Sequence, residues 1–272
     1  MGRRRWHAWV LGSVALGIGV LAWQYRDLTT GTGRAMPARD PWLRAQPVTL
    51  YPAQHREATR LLLVLFGNDV GFWAPHRALA WHLSRRDVAV AGVDLRPLFH
   101  ELPRDDGARR VALAAWLDTL VTHLRPELGT ADASVVIGGH SLGAETAVWA
   151  GSVSLGGVVG VLALSPGARS HLDVDAGDLA NIDPTGPGSF AMTTAMARVS
   201  ASRRIALLRG QRDRYARIDV DLLRAGGPRA RRFLVAFAGH SLKSGLVEPE
   251  AWKALSWICD DGRCGRAWSA GG

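Results

Sequence analysis

Lysine is almost missing from this chain: of 33 basic residues only Lys243 and Lys253 are lysines, and all the others are arginine. Cysteine is rarer still in its consequences, because Cys259 and Cys264 alone do not make a zinc site. No H-E-x-x-H pair, Walker loop or dinucleotide G-x-G-x-x-G is present, and His76 and His82 lack the spacing of two ligands on one helix face. The basic clusters Arg203, Arg204 and Arg229, Arg231, Arg232 carry no interleaved aromatic residues on which bases stack, and no nucleic-acid-binding module is recognisable. These absences argue against a metal, a cofactor and a nucleic-acid partner. Core-forming residues are not lacking. With 47% hydrophobic and 21% charged residues over 272 positions, the composition suits one large globular domain.

The net charge is +9, and four of those charges (Arg3, Arg4, Arg5, Arg26) fall in residues 1–26, where no acid offsets them. That stretch reads as targeting before it reads as fold. Three arginines precede the apolar run Ala8 to Trp23, which Trp6, Trp9 and Trp23 flank. We read 1–26 as a signal anchor, with a cleaved signal peptide as the alternative, and the arginine asymmetry places the following domain outside the cytoplasm. Localisation is then periplasmic or extracytoplasmic, with the membrane a partner through this segment. Residues 27–46, rich in Thr, Gly, Pro and Arg, read as a linker. The globular domain is expected over 47–258 and a tail over 259–272. Between Cys259 and Cys264 the polar stretch Asp260-Asp261-Gly262-Arg263 allows a short disulfide, which contributes about 2 kcal/mol in the loop-entropy view and suits an oxidising compartment. Two free thiols are the alternative.

Within the domain, apolar runs of strand length alternate with helical patterns. The runs are Leu61 to Gly67, Val88 to Leu95, Ser134 to Gly139, Val158 to Ser165, Ile205 to Gly210 and Phe233 to Ala238. Their hydrophobicity is continuous rather than alternating, as in strands covered on both faces. Three- and four-residue apolar spacing predicts helices over His76 to Arg85, Arg109 to Leu124, Leu142 to Ala150 and Pro249 to Ile258, the last with its proline in the first turn. The expected class is α/β, a doubly wound, mostly parallel sheet flanked by helices, with ligands at the carboxyl ends of the strands. Residues 167–203, which contain Pro184, Gly186, Pro187 and Gly188, are too long for a simple connection and read as an inserted lid or cap.

The chemistry gathers around Gly139-His140-Ser141-Leu142-Gly143, a G-x-S-x-G pattern between a strand and a helix. A tight strand-to-helix turn there lifts a serine hydroxyl clear of the sheet and requires small neighbours. Serine needs a base to take its proton, and the base needs a third group to fix its tautomer. His240 follows the final strand and is the one histidine downstream of every plausible acid; Asp213 lies just past the strand Ile205 to Gly210. The order Ser141, Asp213, His240 is the order expected for such a fold. Asp219 and Asp221 compete for the acid role, and Arg212 and Arg214 offer Asp213 a merely structural ion pair. Main-chain N–H groups of Leu142 and Asn68 are the expected oxyanion donors. Asp69, His140 and His171 are candidate substrate-binding residues.

Together the elbow, the Asp213 segment and His240 resemble the α/β-hydrolase superfamily over about Pro47 to Ile258. A narrower resemblance is to the bacterial virulence VirJ/AcvB family. It is carried by Gly67 to Trp73 after Leu61 to Phe66, by Val93-Asp94-Leu95-Arg96 within Val88 to Phe99, by the elbow, and by Leu162 to Pro166 ahead of the acidic insertion. That resemblance implies an exported serine hydrolase that cleaves an aminoacylated phospholipid, the lysyl ester of phosphatidylglycerol. His140 and Leu142 beside the nucleophile, and Gly71-Phe72-Trp73 in the early loop, depart from the family's pattern. Two alternatives stay open: a general esterase, lipase or thioesterase, and a non-catalytic envelope accessory protein of a secretion system.

Overall fold

The computed structural model describes residues 35–153, 156–179, 182–242, 244–260, 262 and 264. The targeting segment expected over 1–26, the first part of the linker and most of the C-terminal tail lie outside the described residues. Among the described residues no helix is long and apolar enough to cross a membrane.

The strands are β1 (Val48–Tyr51), β2 (Leu61–Phe66), β3 (Val88–Val93), β4 (Ser134–His140), β5 (Val158–Leu164), the two-residue pieces β6 (Arg169–Ser170) and β7 (Phe190–Ala191), β8 (Arg204–Gly210) and β9 (Ala230–Val235). The helices are α1 (Pro41–Arg44), α2 (Ala74–Ser84), α3 (Leu95–Glu101), α4 (Asp106–Leu128), α5 (Leu142–Ser152), α6 (Ala176–Leu179), α7 (Met192–Ser200), α8 (Asp219–Gly226) and α9 (Ser244–Cys259). One sheet runs in the order β1-β3-β2-β4-β5-β8-β9, with β1 antiparallel to β3 and every other pairing parallel.

Strand β2 shows why the runs are apolar throughout. All six of its side chains are buried, and they divide by parity between two cores. Leu62, Val64 and Phe66 face the core shared with Leu113, Leu117 and Leu120 of α4 and Ala144 and Val148 of α5. Leu61, Leu63 and Leu65 face the other core, with Leu79 and Leu83 of α2 and Ala251, Leu255 and Ile258 of α9. Each fully buried Leu or Val contributes about 1.5–3 kcal/mol of transfer free energy, so an alternating polar residue anywhere in β2 would be costly.

Several boundaries differ from the sequence expectation. The fold begins before Pro47: Asp40 caps α1 through Leu43 N–H at 2.9 Å, Leu43 is 1% exposed in the core, and Met36 N–H bonds Leu50 O. The second half of the expected linker is thus part of the domain. Pro249 lies inside α9, not in its first turn. Strand β9 starts at Ala230, because as an edge strand it exposes Arg231 and Arg232 and interrupts the apolar run. The insertion is partly scaffold: Met192, Ala195, Met196 and Val199 of α7 are buried in the core.

The chain passes from β2 outward to β3, then returns to the other side of β2 as β4. This reversal opens a crevice at the carboxyl ends of β2 and β4, where Phe66 pairs with Gly139. The loop after β2 and the turn after β4 therefore face each other across it.

Candidate active site

Ser141 is the residue between β4 and α5. Its backbone sits at φ 54°, ψ −121°, a region that favours glycine, and its N–H is held by Leu164 O at 2.8 Å. The flanking glycines answer to close approach. A Cβ on Gly143 would lie 2.0 Å from Gly67 O, and one on Gly139 would lie 2.2 Å from Gly143 O. Neither position has room for a side chain, which gives the G-x-S-x-G spacing its physical meaning.

The structure brings the three residues singled out in the sequence into one chain. His240 Nε2 is 3.1 Å from Ser141 Oγ, and His240 Nδ1 is 3.2 Å from Asp213 Oδ2. Asp213 Oδ1 accepts the Tyr215 N–H at 2.9 Å, and Oδ2 also takes Arg209 Nη1 at 2.9 Å. Burial opposes ionisation of Asp213, but the hydrogen bonds from His240, the Tyr215 N–H and Arg209 outweigh it and hold the carboxyl well below its usual range. A carboxylate that stays ionised fixes the proton of His240 on Nδ1, so Nε2 faces the serine as an acceptor.

The competing acids have other duties. Asp219, fully buried, takes Arg209 Nε at 3.0 Å, and Asp221 pairs with Arg224 at the surface. Arg212 and Arg214 stack over Phe237 and Tyr215. The cation beside Asp213 is Arg209, which is 0% exposed and donates also to Pro166 O at 2.8 Å. Its place inside the apolar run of β8 concealed it in the sequence.

On the oxyanion side, Leu142 is the first residue of α5, so its N–H is one of the helix's unpaired terminal donors. The Asn68 N–H spans the crevice loop to Gly71 O at 3.3 Å, beyond the usual range for a strong bond. Asn68 Oδ1 accepts the Trp73 indole N–H at 3.2 Å, which braces the loop.

A cavity of about 230 Å³ opens over Ser141 and His240. Its lining carries Asp69, Glu145, Asp178 and Asp183, against Arg169 as the one permanent cation among the described residues, and Arg169 is turned to Pro184 O and Ser189 Oγ. Burial raises the Asp69 carboxyl, and burial pushes Glu145 up to about 7 despite its hydrogen bonds from Ser170 and the Gly167 N–H. Tyr215, which sequence reasoning passed over, lines the same cavity and sets its ring edge-on to His240 at 5.4 Å.

Of the candidate substrate-binding residues, Asp69 lines the cavity. His140 does not: as the last residue of β4 it points away from Ser141, 5% exposed, into contact with His76. His171 stands behind the lining, with Nε2 3.0 Å from Asp178 Oδ2, and this bond raises its pKa. Ligand atoms of His171, Asp175 and Asp178 lie within 4.8 Å of one another. One oxygen of each carboxylate is engaged in the cluster's own bonds: Asp175 Oδ1 takes the Gly177 and Asp178 N–H groups, and Asp178 Oδ2 takes the Asp175 N–H and His171. Cys259 and Cys264 form a disulfide at the end of α9, away from the cavity lining.

No protein-family model matches the chain, and no curated protein matches it either. Solved structures do. A dienelactone hydrolase from Anabaena variabilis is similar at 20% identity with a TM-score of 0.54, over 78% of this chain and 90% of that one. Est1E from Butyrivibrio proteoclasticus is similar at 10% identity with a TM-score of 0.56, over 78% and 93%. Thermogutta terrifontis esterase 2, phosphoramylated by tabun, is similar at 13% identity with a TM-score of 0.53, over 79% and 89%. At this identity the likeness concerns architecture, and together with the sheet order it establishes that the chain has the α/β-hydrolase fold.

Proposed function

We propose that the protein is a serine hydrolase that cleaves a carboxylic ester through an acyl-enzyme on Ser141. The observation that carries this reading is the unbroken chain Ser141 Oγ, His240, Asp213 beside a nucleophile backbone at φ 54°. His240 Nε2 takes the Ser141 proton as Oγ attacks the ester carbonyl. The carbonyl oxygen gains charge and is held by the Leu142 N–H and by the Asn68 N–H, which leaves its long contact with Gly71 O. The tetrahedral intermediate collapses when the imidazolium returns its proton to the leaving alkoxide. Water, deprotonated by the same nitrogen, then attacks the acyl-serine and releases the acid. Asp213 steadies the imidazolium at each stage and keeps its own negative charge.

The acids around the cavity favour an ester with a cationic group, and an aminoacylated phospholipid of the lysyl-phosphatidylglycerol kind meets that requirement. Of the insertion's acids, Asp183 and Asp178, the latter sharing Oδ2 with His171, line the cavity and carry this part, whereas Asp173 is tied to Arg109 at 2.6 Å and Asp175 holds the Gly177 and Asp178 N–H groups outside the lining. Action outside the cytoplasm, tethered by residues 1–26, belongs to the same proposal. A general esterase is the second reading, and the esterases among the structural neighbours favour it. Turnover of lysyl-phosphatidylglycerol set against neutral esters of matched chain length separates the two. The cationic ester is expected to be preferred, and Asp178→Asn with Asp183→Asn is expected to erase the preference. Equal turnover of both esters by the wild type assigns the general reading, and no turnover of any ester by folded protein rejects hydrolysis.

A further inference from the structure

Two buried histidines outside the triad meet beneath the nucleophile. Nε2 of His76, in the first turn of α2, lies 3.1 Å from Nδ1 of His140, and the side chains are 4% and 5% exposed. The groups at the two ends of this pair fix where its protons sit. His140 Nε2 lies 2.8 Å from the main-chain oxygen of His240, and a carbonyl oxygen only accepts, so that nitrogen carries a hydrogen. Burial keeps both rings neutral, holding His140 down at about 4 and His76 well below its ordinary value. His140 Nδ1 is therefore a bare acceptor, and His76 Nε2 must donate to it. That leaves His76 Nδ1 bare as well, and the Trp73 main-chain N–H points to it across a long 3.4 Å, with the Gly71 main chain also against the ring. Donation runs one way, from Trp73 through His76 and His140 to His240.

Both ends of this chain belong to working parts of the site. Trp73 closes the loop that presents the Asn68 N–H, and its indole braces Asn68 from the other side. His140 is bonded covalently to Ser141. His240 is the base, and the chain grips its main chain while Asp213 grips its ring. We infer that His76 and His140 are positioning residues, which hold the Asn68 loop, Ser141 and His240 in a common register through an ordered hydrogen-bond chain between two stretches of backbone. The inference rests on the reading of Ser141, Asp213 and His240 as a working triad. Neither histidine touches the reacting atoms.

A chain of this kind needs a donor directed at His240 O, and mere packing needs only a ring. Glutamine places an amide nitrogen near the position of Nε2, whereas phenylalanine fills the same space with no donor. His140→Phe is expected to lower kcat on the order of 10- to 100-fold with little change in KM, the scale of a small misplacement of reacting groups, and His140→Gln is expected to recover most of the loss. Imidazole 15N and 13C chemical shifts of the wild type provide a second readout that does not depend on any variant folding. Signals assigned to His76 and His140 are expected to show the Nε2–H tautomer, and His240 the Nδ1–H tautomer. An Nδ1–H tautomer at His76 or His140, or an undiminished kcat in His140→Phe, overturns the inference while leaving the triad intact. A wild type that turns over no ester removes the triad reading, and the catalytic role of these histidines with it.

Discussion

Arg209 and His240 meet on a single atom: both hydrogen-bond to Oδ2 of Asp213, at 2.9 and 3.2 Å. The arginine is fully buried and also pairs with Asp219, so one cation serves two carboxylates. The acid of the proposed triad thus stands in a buried ionic cluster and not at a solvated strand end.

Among the described residues, removing that cation leaves Asp219 only Arg232 at 3.7 Å, and Asp213 only His240 and the Tyr215 N–H. Arg209→Gln is expected to cost about 3–5 kcal/mol of stability, the penalty for breaking a buried ion pair from one side. Adding Asp219→Asn to it is expected to restore part of the loss, because one buried charge disappears. Denaturant unfolding of the two variants measures this, and an Arg209→Gln loss below about 1 kcal/mol would show that water reaches the cluster.

The elbow glycines give a second expectation. Gly143→Ala puts a methyl group 2.0 Å from the backbone oxygen of Gly67, which cannot yield as a flexible side chain does. The two sides of the crevice must separate, at about 1–3 kcal/mol for overpacking, and the Leu142 and Asn68 donors move apart. Esterase activity is expected to fall further than stability does. A Gly143→Ala enzyme with unchanged kcat would contradict this close approach.

Glu145 makes stability depend on pH. Burial lifts its pKa to about 7 from an ordinary 4.5, so between those values the folded chain holds a proton that the unfolded chain has released. Its contribution therefore weakens stability as pH rises from 4.5, and the penalty is complete above 7, at about 3 kcal/mol if no structure relaxes. Glutamine keeps the acceptor for the Gly167 N–H and cannot ionise. The melting temperature of Glu145→Gln relative to wild type is expected to climb between pH 5 and pH 8, by on the order of 5 °C. A constant difference across that interval would place the ordinary carboxylate pKa at Glu145.

Much of this arrangement was legible in the sequence, for identifiable reasons. Parallel strands buried on both faces leave continuous apolar runs, and these mark β2, β3, β4, β5 and β8, whereas the two-residue pieces β6 and β7 inside the insertion leave none. Ser141, Asp213 and His240 each follow such a run, so strand ends located them. What stayed hidden was of two kinds. Short or edge elements carry weak patterns: Val48–Tyr51 has four residues, and β9 opens on Ala230-Arg231-Arg232. The helix Met192–Ser200 does have apolar residues at helical spacing, but the prolines and glycines just before it drew attention to loop structure instead. Pairings over long sequence separation leave no local mark at all. His76 and His140 are 64 residues apart, and Arg209 reaches Pro166 O across 43 residues. His140 differs from the expectation because of its neighbour. A turn that lifts Ser141 outward leaves the preceding strand residue facing the core.

The most direct measurement is fluorophosphonate labelling of the purified protein, with the adduct located by intact mass and peptide sequencing, beside Ser141→Ala and His240→Ala. A serine made nucleophilic by His240 predicts one adduct, on Ser141, that is lost in both variants. An adduct that persists in Ser141→Ala, or a folded wild type that takes up none, would contradict an activated serine at the elbow.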